Sequence, residues 1–141
     1  MNIFNNKLGI GPNGNVLIKS NLTKKISELA IGDDVQTLGG FNTITNIIKR
    51  ENHEICYLNG NIFSKKNPVK YRDIWCLPKS LTQPLPNNTE LYIIELLSND
   101  IKEERNNTII VDGIICATSG FYPIISIPEK QPFEMIYREY C

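Results

Sequence analysis

The stretch "TIIVDGIICATSG", residues 108–120, places two short β-branched runs on either side of Asp112-Gly113. An Asp-Gly pair tolerates positive φ at both central positions of a two-residue turn, and that turn matches the twist of paired strands. Isoleucine, valine and threonine fit a pleated surface. The stretch therefore predicts an antiparallel hairpin, with strands at Thr108–Val111 and Ile114–Ala117. The same pattern recurs upstream. Glu54–Leu58 and Ile62-Phe63 flank Asn59-Gly60, a second strong hairpin signal, and Val35–Leu38 and Phe41–Ile48 flank Gly39-Gly40. Val16–Lys19 and Tyr92–Leu97 are further strand candidates.

Helical periodicity is scarce. The best candidate, Lys24–Ile31, allows one or two turns. Arg50–Glu54, the Pro-rich span Pro78–Pro86 and the charged span Ser98–Asn107 read as exposed connections. His53, the single histidine, falls in the first of these and reads as solvated. Many short strands with tight turns predict an all-β domain with a closed or strongly coiled sheet. Its expected limits are residues 11–120, after a lead of residues 1–10.

The chain of 141 residues is long enough for one sizeable core. Apolar residues make up 41%, as in a folded domain. Fifteen basic residues balance fifteen acidic ones, which argues against a nucleic-acid partner or an anionic membrane surface. No apolar run approaches membrane-spanning length, and the start has no signal-peptide pattern. A cytoplasmic location, or a particle assembled there, is the resulting expectation. The four cysteines (56, 76, 116, 141) form no Cys-x-x-Cys pair, which argues against structural zinc. They read as free thiols, with Cys56 and Cys116 in strands. No metal and no cofactor are expected. The Asn-x-Thr sequons at Asn21, Asn87 and Asn106 read as chance in an Asn-rich chain. High Ile and Asn with scarce Val, Ala and Arg suit an AT-rich genome, a giant virus among the sources.

The tail, residues 121–141, is punctuated by Pro123, Pro128 and Pro132. The prolines disfavour a long helix or a central strand. Yet Tyr122, Ile124, Ile125, Ile127, Phe133, Ile136 and Tyr137 are too apolar for a free linker. The tail is expected to lie extended along a surface, as a docking segment for a protein partner or along the domain's own sheet.

The order of these pieces resembles the Hint domain, the fold shared by hedgehog autoprocessing domains and inteins. Gly14-Asn15-Val16-Leu17 and Lys25–Val35, with Leu29, Gly32-Asp33 and Val35, are similar to the family's "G-T-x-V … I-x-x-L-x-x-G-D-x-V". Ser64-x-x-Asn67-Pro68-Val69 and the following Trp75 resemble "T-x-x-H-P-V … W". Leu91–Leu96 resembles "V-Y-N-L-x-L", and residues 108–120 resemble "T-V-x-V-N-G-I-x-C-x-T-L-G-H". The last form is similar to that of Hint domains linked to von Willebrand A domains and their viral and microbial relatives.

The resemblance implies an acyl shift, in which a Cys, Ser or Thr at the domain's start attacks the preceding carbonyl. The threonine and histidine of "T-x-x-H" would orient that amide and protonate its nitrogen. Here the nucleophile should fall near Ile10 or Gly11, and Met1–Lys19 contains no Cys, Ser or Thr. Ser64 keeps the hydroxyl, but Asn67 replaces the histidine, and an amide cannot shuttle a proton near neutral pH. Phe121 stands where relatives carry a second histidine. Ser64, Asn67 and Cys116 thus read as relics of a catalytic set, with Ser64 and Asn67 supporting a turn and Cys116 a buried strand thiol. The expectation is a non-catalytic Hint-like domain, a structural or protein-interaction subunit of a larger assembly, a viral particle among the candidates. The alternatives are a self-processing enzyme with a displaced nucleophile, and a small β-barrel binding a ligand or nucleic acid.

Overall fold

The computed structural model describes residues 8–97, 104–119, 121 and 123–128. The described chain is all-β, with ten strands and three single 3₁₀ turns among those residues. Six strands form one antiparallel sheet: β1 (Asn15–Leu17), β2 (Thr23–Lys25), β6 (Val69–Tyr71), β7 (Ile74–Cys76), β9 (Thr108–Val111) and β10 (Ile114–Ala117). Their order is β2-β1-β9-β10-β6-β7. The second sheet contains β3 (Asp34–Gln36), β4 (Phe41–Leu58), β5 (Asn61–Ser64) and β8 (Leu85–Leu96).

The 18-residue β4 organises the second sheet. Its first residues pair with β3, its middle with β8 and its end with β5. Register shifts against β8, between Ile44 and Asn46 and again between Asn52 and Glu54, allow one strand to serve three partners. Each shift bends the strand and adds local twist. Along β8 the period of two is plain. Tyr92, Ile94 and Leu96 enter the main core, while Leu91 and Ile93 are buried on the other face. The main core also gathers Val16, Val35, Phe63, Val69, Ile109 and Val111 from both sheets. Burying each such side chain stabilises the fold by about 1.5–3 kcal/mol.

Two hairpins form where Asn-Gly and Asp-Gly predict them. Asn59 and Gly60 have φ of 50° and 77°, and Asp112 and Gly113 have 47° and 82°. Several local expectations change. Lys24–Ile31 yields the end of β2 and one 3₁₀ turn, Ile26–Glu28, because Ile26 and Leu29 bury against the core from an extended lead-in. Gly39-Gly40 is part of a four-residue link, since Gln36 pairs with Phe41. Gly39 is required by proximity, for a methyl group there would stand 2.7 Å from Arg105 Cβ. Arg50–Glu54 runs as strand inside β4, where backbone pairing to β8 outweighs side-chain polarity. The Pro78–Pro86 loop gives way to β8 at Leu85. In Ser98–Asn107, residues 98–103 lie outside the described chain, but Asn107 is fully buried rather than exposed. Leu8–Ile10, expected as a lead, is interior: Leu8 and Ile10 are each 2% exposed.

A further hairpin, β6–β7, has no glycine. Arg72 (φ 51°) and Asp73 (φ 65°) both occupy the left-handed region between Tyr71 and Ile74. That region costs an L-residue about 1–2 kcal/mol. Asp73→Gly should therefore raise stability by about 1 kcal/mol, read as a higher urea midpoint with an unchanged m-value. A lower midpoint would mean that Asp73 has a stabilising contact outweighing its backbone strain.

Candidate functional site

The block "SKKN", residues 64–67, closes a tight turn after β5, with Asn67 N–H donating to Ser64 O at 3.0 Å. Both ends of this turn grip the same residue upstream. Asn67 Oδ1 accepts the Gly9 N–H at 2.9 Å. Ser64 N–H donates to Gly9 O at 2.9 Å. Asn67 Nδ2 donates to Pro68 O at 3.1 Å, so both ends of the amide are engaged. Asn67 is 1% exposed and Ser64 2% exposed. A buried side-chain amide is tolerable only with its polar atoms paired in this way. The Ser64 hydroxyl lies 3.4 Å from Lys66 N–H, a weak contact within the turn.

The residue so held is Gly9, not Ile10 or Gly11. Its φ is +151°, and a methyl group there would stand 2.7 Å from Leu91 Cβ and 2.8 Å from Leu91 Cδ1. No side chain fits at Gly9 without displacing β8. Ile10 bonds in both directions to Tyr92, and Gly11 N–H donates to Ile62 O at 2.7 Å, so the segment runs between β8 and β5.

Cys116 is remote in character from a nucleophile. It lies in β10 opposite Val69, is fully buried, and its Sγ faces Ile114 O at 3.4 Å. Burial pushes its thiol well above the ordinary range. Burial also raises Cys56, and lifts Cys76, across Val69 from Cys116, to about 11. A thiol held protonated is a poor nucleophile. Among the described residues, no group of three or more His, Cys, Asp or Glu side chains is placed to hold a metal ion. No described helix is long and apolar enough to cross a membrane.

Phe121 is an anchor. Its ring meets Trp75 edge-on, with centroids 5.4 Å apart and planes at 70°. Ala117 completes this small core, and Ile125 packs against it. Ser126 N–H donates to Trp75 O at 2.8 Å, so the tail's first residues lie along the outer edge of β7. Ile124 and Ile127 instead face solvent, 91% and 79% exposed. Tyr122, Phe133, Ile136 and Tyr137 lie outside the described residues.

Two carboxylates whose contacts no local sequence signal marks cross-link separate segments, Glu104 beside Trp75 and Asp112 between Asn15 and Asn61. Glu104 Oε1 accepts from Lys70 Nζ at 2.6 Å and from Trp75 Nε1 at 2.8 Å. The Lys70 contact, above all, holds the Glu104 carboxyl below its ordinary value. Asp112 accepts from Asn15 N–H and Nδ2, each at 3.1 Å, and from Asn61 Nδ2 at 2.7 Å. Burial is the largest single influence and opposes ionisation, but these three bonds together leave Asp112 below its ordinary value. Asn15 and Asn61 are distant in sequence and look like turn residues, so no local signal marks the cluster.

Both carboxyls titrate lower folded than unfolded. Their stabilising effect is complete above the unfolded values, about pH 4, and fades as pH falls through the folded values. Melting temperature should thus drop from pH 6 to pH 3. Glu104→Gln should flatten that drop, and an unchanged slope would remove Glu104 from the account.

Similarity to known proteins agrees with this architecture. The chain matches the Vint Hint-domain family over residues 10–124. The crystal structure of the gp41-1 intein is similar at a TM-score of 0.58 and 16% identity, covering 79% of this chain and 98% of that one. The solution structure of a bacterial intein-like domain from Clostridium thermocellum is similar at a TM-score of 0.60 and 14% identity, again covering 79% and 98%. No curated protein matches significantly. With a family match spanning most of its length, the chain belongs to the Hint-domain family.

Proposed function

We propose that this Hint domain is non-catalytic and serves as a structural or protein-interaction module. The observation that carries the reading is Gly9. The side chain at position 67 addresses the Gly9 amide, the place where an acyl shift would act, yet Gly9 has no nucleophile and Leu91 fills the space one would need. Asn67 can accept the amide hydrogen but cannot return a proton to that nitrogen. The Cys116 thiol, a second candidate nucleophile, is buried, and that burial favours its protonated form.

The interaction role is supported by the tail. Ile125 and Phe121 fasten it to Trp75, while Ile124 and Ile127 stay exposed side by side with the sheet edge. Exposed branched aliphatics on an extended strand suit a protein partner.

Intact-mass measurement decides between this and self-processing. Full-length protein held for days with a strong thiol or with hydroxylamine should keep its mass. A fragment ending between Leu8 and Ile10, or a loss near Cys116, would overturn the reading and establish an acyl-shift enzyme.

A further inference from the structure

The extended segment Leu8–Gly11 occupies a groove between β5 and β8 that is built like a peptide-binding site. Five hydrogen bonds hold its backbone. Gly9 N–H donates to Asn67 Oδ1 at 2.9 Å. Ser64 N–H donates to Gly9 O at 2.9 Å, Ile10 N–H to Tyr92 O at 3.0 Å, Tyr92 N–H to Ile10 O at 2.8 Å, and Gly11 N–H to Ile62 O at 2.7 Å. Leu8 and Ile10 fill apolar sites at 2% exposure. Gly9 and Gly11 pass so close to the walls that a methyl group would stand 2.7 Å from Leu91 Cβ and 2.8 Å from Ile62 Cβ. Backbone bonds supply affinity and the walls supply selection, so the groove reads apolar-Gly-apolar-Gly.

Every group that grips the segment comes from residues 62–92. The segment joins the rest of the domain through Gly11-Pro12-Asn13-Gly14, a turn whose Gly14 N–H to Gly11 O distance is a long 3.5 Å. Pro12 fixes a φ that both a turn and an extended chain accept. Ser27 N–H also donates to Pro12 O at 3.1 Å and Ile26 N–H to Gly14 O at 2.9 Å, so opening at Gly11-Pro12 gives up the first of these bonds while the second keeps Gly14 and β1 in place.

We propose that the groove accepts residues 8–11 of a second copy of this chain, giving a strand-exchanged dimer hinged at Gly11–Gly14. The occupant is identical, so exchange reproduces all five bonds and both buried side chains, and only the hinge changes. A partner of any other kind must carry the same alternation of apolar residue and glycine. The inference rests on the uncut chain proposed above, because cleavage at Gly9 would remove Leu8 from the segment.

Full-length protein, isotopically heavy and light, is mixed at high concentration, warmed to just below its melting point, cooled and examined by native mass spectrometry. Mixed heavy–light dimers of intact chains are expected. In parallel, a fluorescent peptide of residues 5–14 should bind the full-length protein, and alanine in place of its Gly9 should weaken binding by about tenfold or more, the scale of a steric clash in a tight slot. Neither dimer nor peptide binding overturns the proposal. Peptide binding without mixed dimers overturns the second copy as occupant and points to another protein with the same pattern. Equal binding of the alanine peptide overturns the slot. Shortened chains overturn the non-catalytic reading instead, so the two failures are distinguishable.

Discussion

Gly9→Ala is expected to cost about 2–6 kcal/mol, combining about 1–3 for a glycine-only backbone conformation with about 1–3 for overpacking. The backbone sits at φ +151°, and the new methyl group would meet Leu91 at 2.7 Å. A domain of this size has about 5–15 kcal/mol of total stability, so the loss should be visible as a large fall in the urea midpoint. The mechanism has its own signature. Leu91→Ala alone should cost about 2–5 kcal/mol through its cavity. Combined with Gly9→Ala it should cost less than the sum, by about 1–3 kcal/mol, because the smaller wall admits the methyl group. Strict additivity would show that the backbone conformation alone demands glycine.

Asn67→Ala should cost about 2–4 kcal/mol, the desolvation of an abandoned buried donor plus a small void. The donor is the Gly9 N–H, which is buried together with Asn67. Asn67→Asp separates the two functions of this amide. The carboxylate keeps an acceptor for Gly9 but loses the Nδ2 donor to Pro68 O and buries a charge. Its penalty should exceed that of alanine at pH 7 and shrink as pH falls and the carboxyl is protonated. Hydrogen exchange at the Gly9 amide is the local readout. Protection of Gly9 in Asn67→Ala equal to that of the unaltered protein would show that the bond contributes nothing.

The sequence by itself determined the strands that carry their own turn chemistry. Asn59-Gly60 and Asp112-Gly113 adopt positive φ because the residues on each side are paired and these two residue types tolerate it. The alternation in β8 likewise declares both of its buried faces once the chain is known to be all-β. The block around Ser64 and Asn67 was legible too, as a turn. What the sequence hid are contacts between residues far apart. That Asn67 grips Gly9 is a pairing across 58 positions, which no local pattern announces. The Arg72-Asp73 turn carries no glycine and is imposed by the register of β6 on β7. The Asp112–Asn15–Asn61 cluster joins three separate segments. In β4, polar residues 50–54 form strand because a neighbouring backbone satisfies their N–H and C=O groups, which side-chain hydropathy does not record. Local propensity sets what a segment can be; which of its backbone groups are covered, and by what, is fixed only when the sheets coil together.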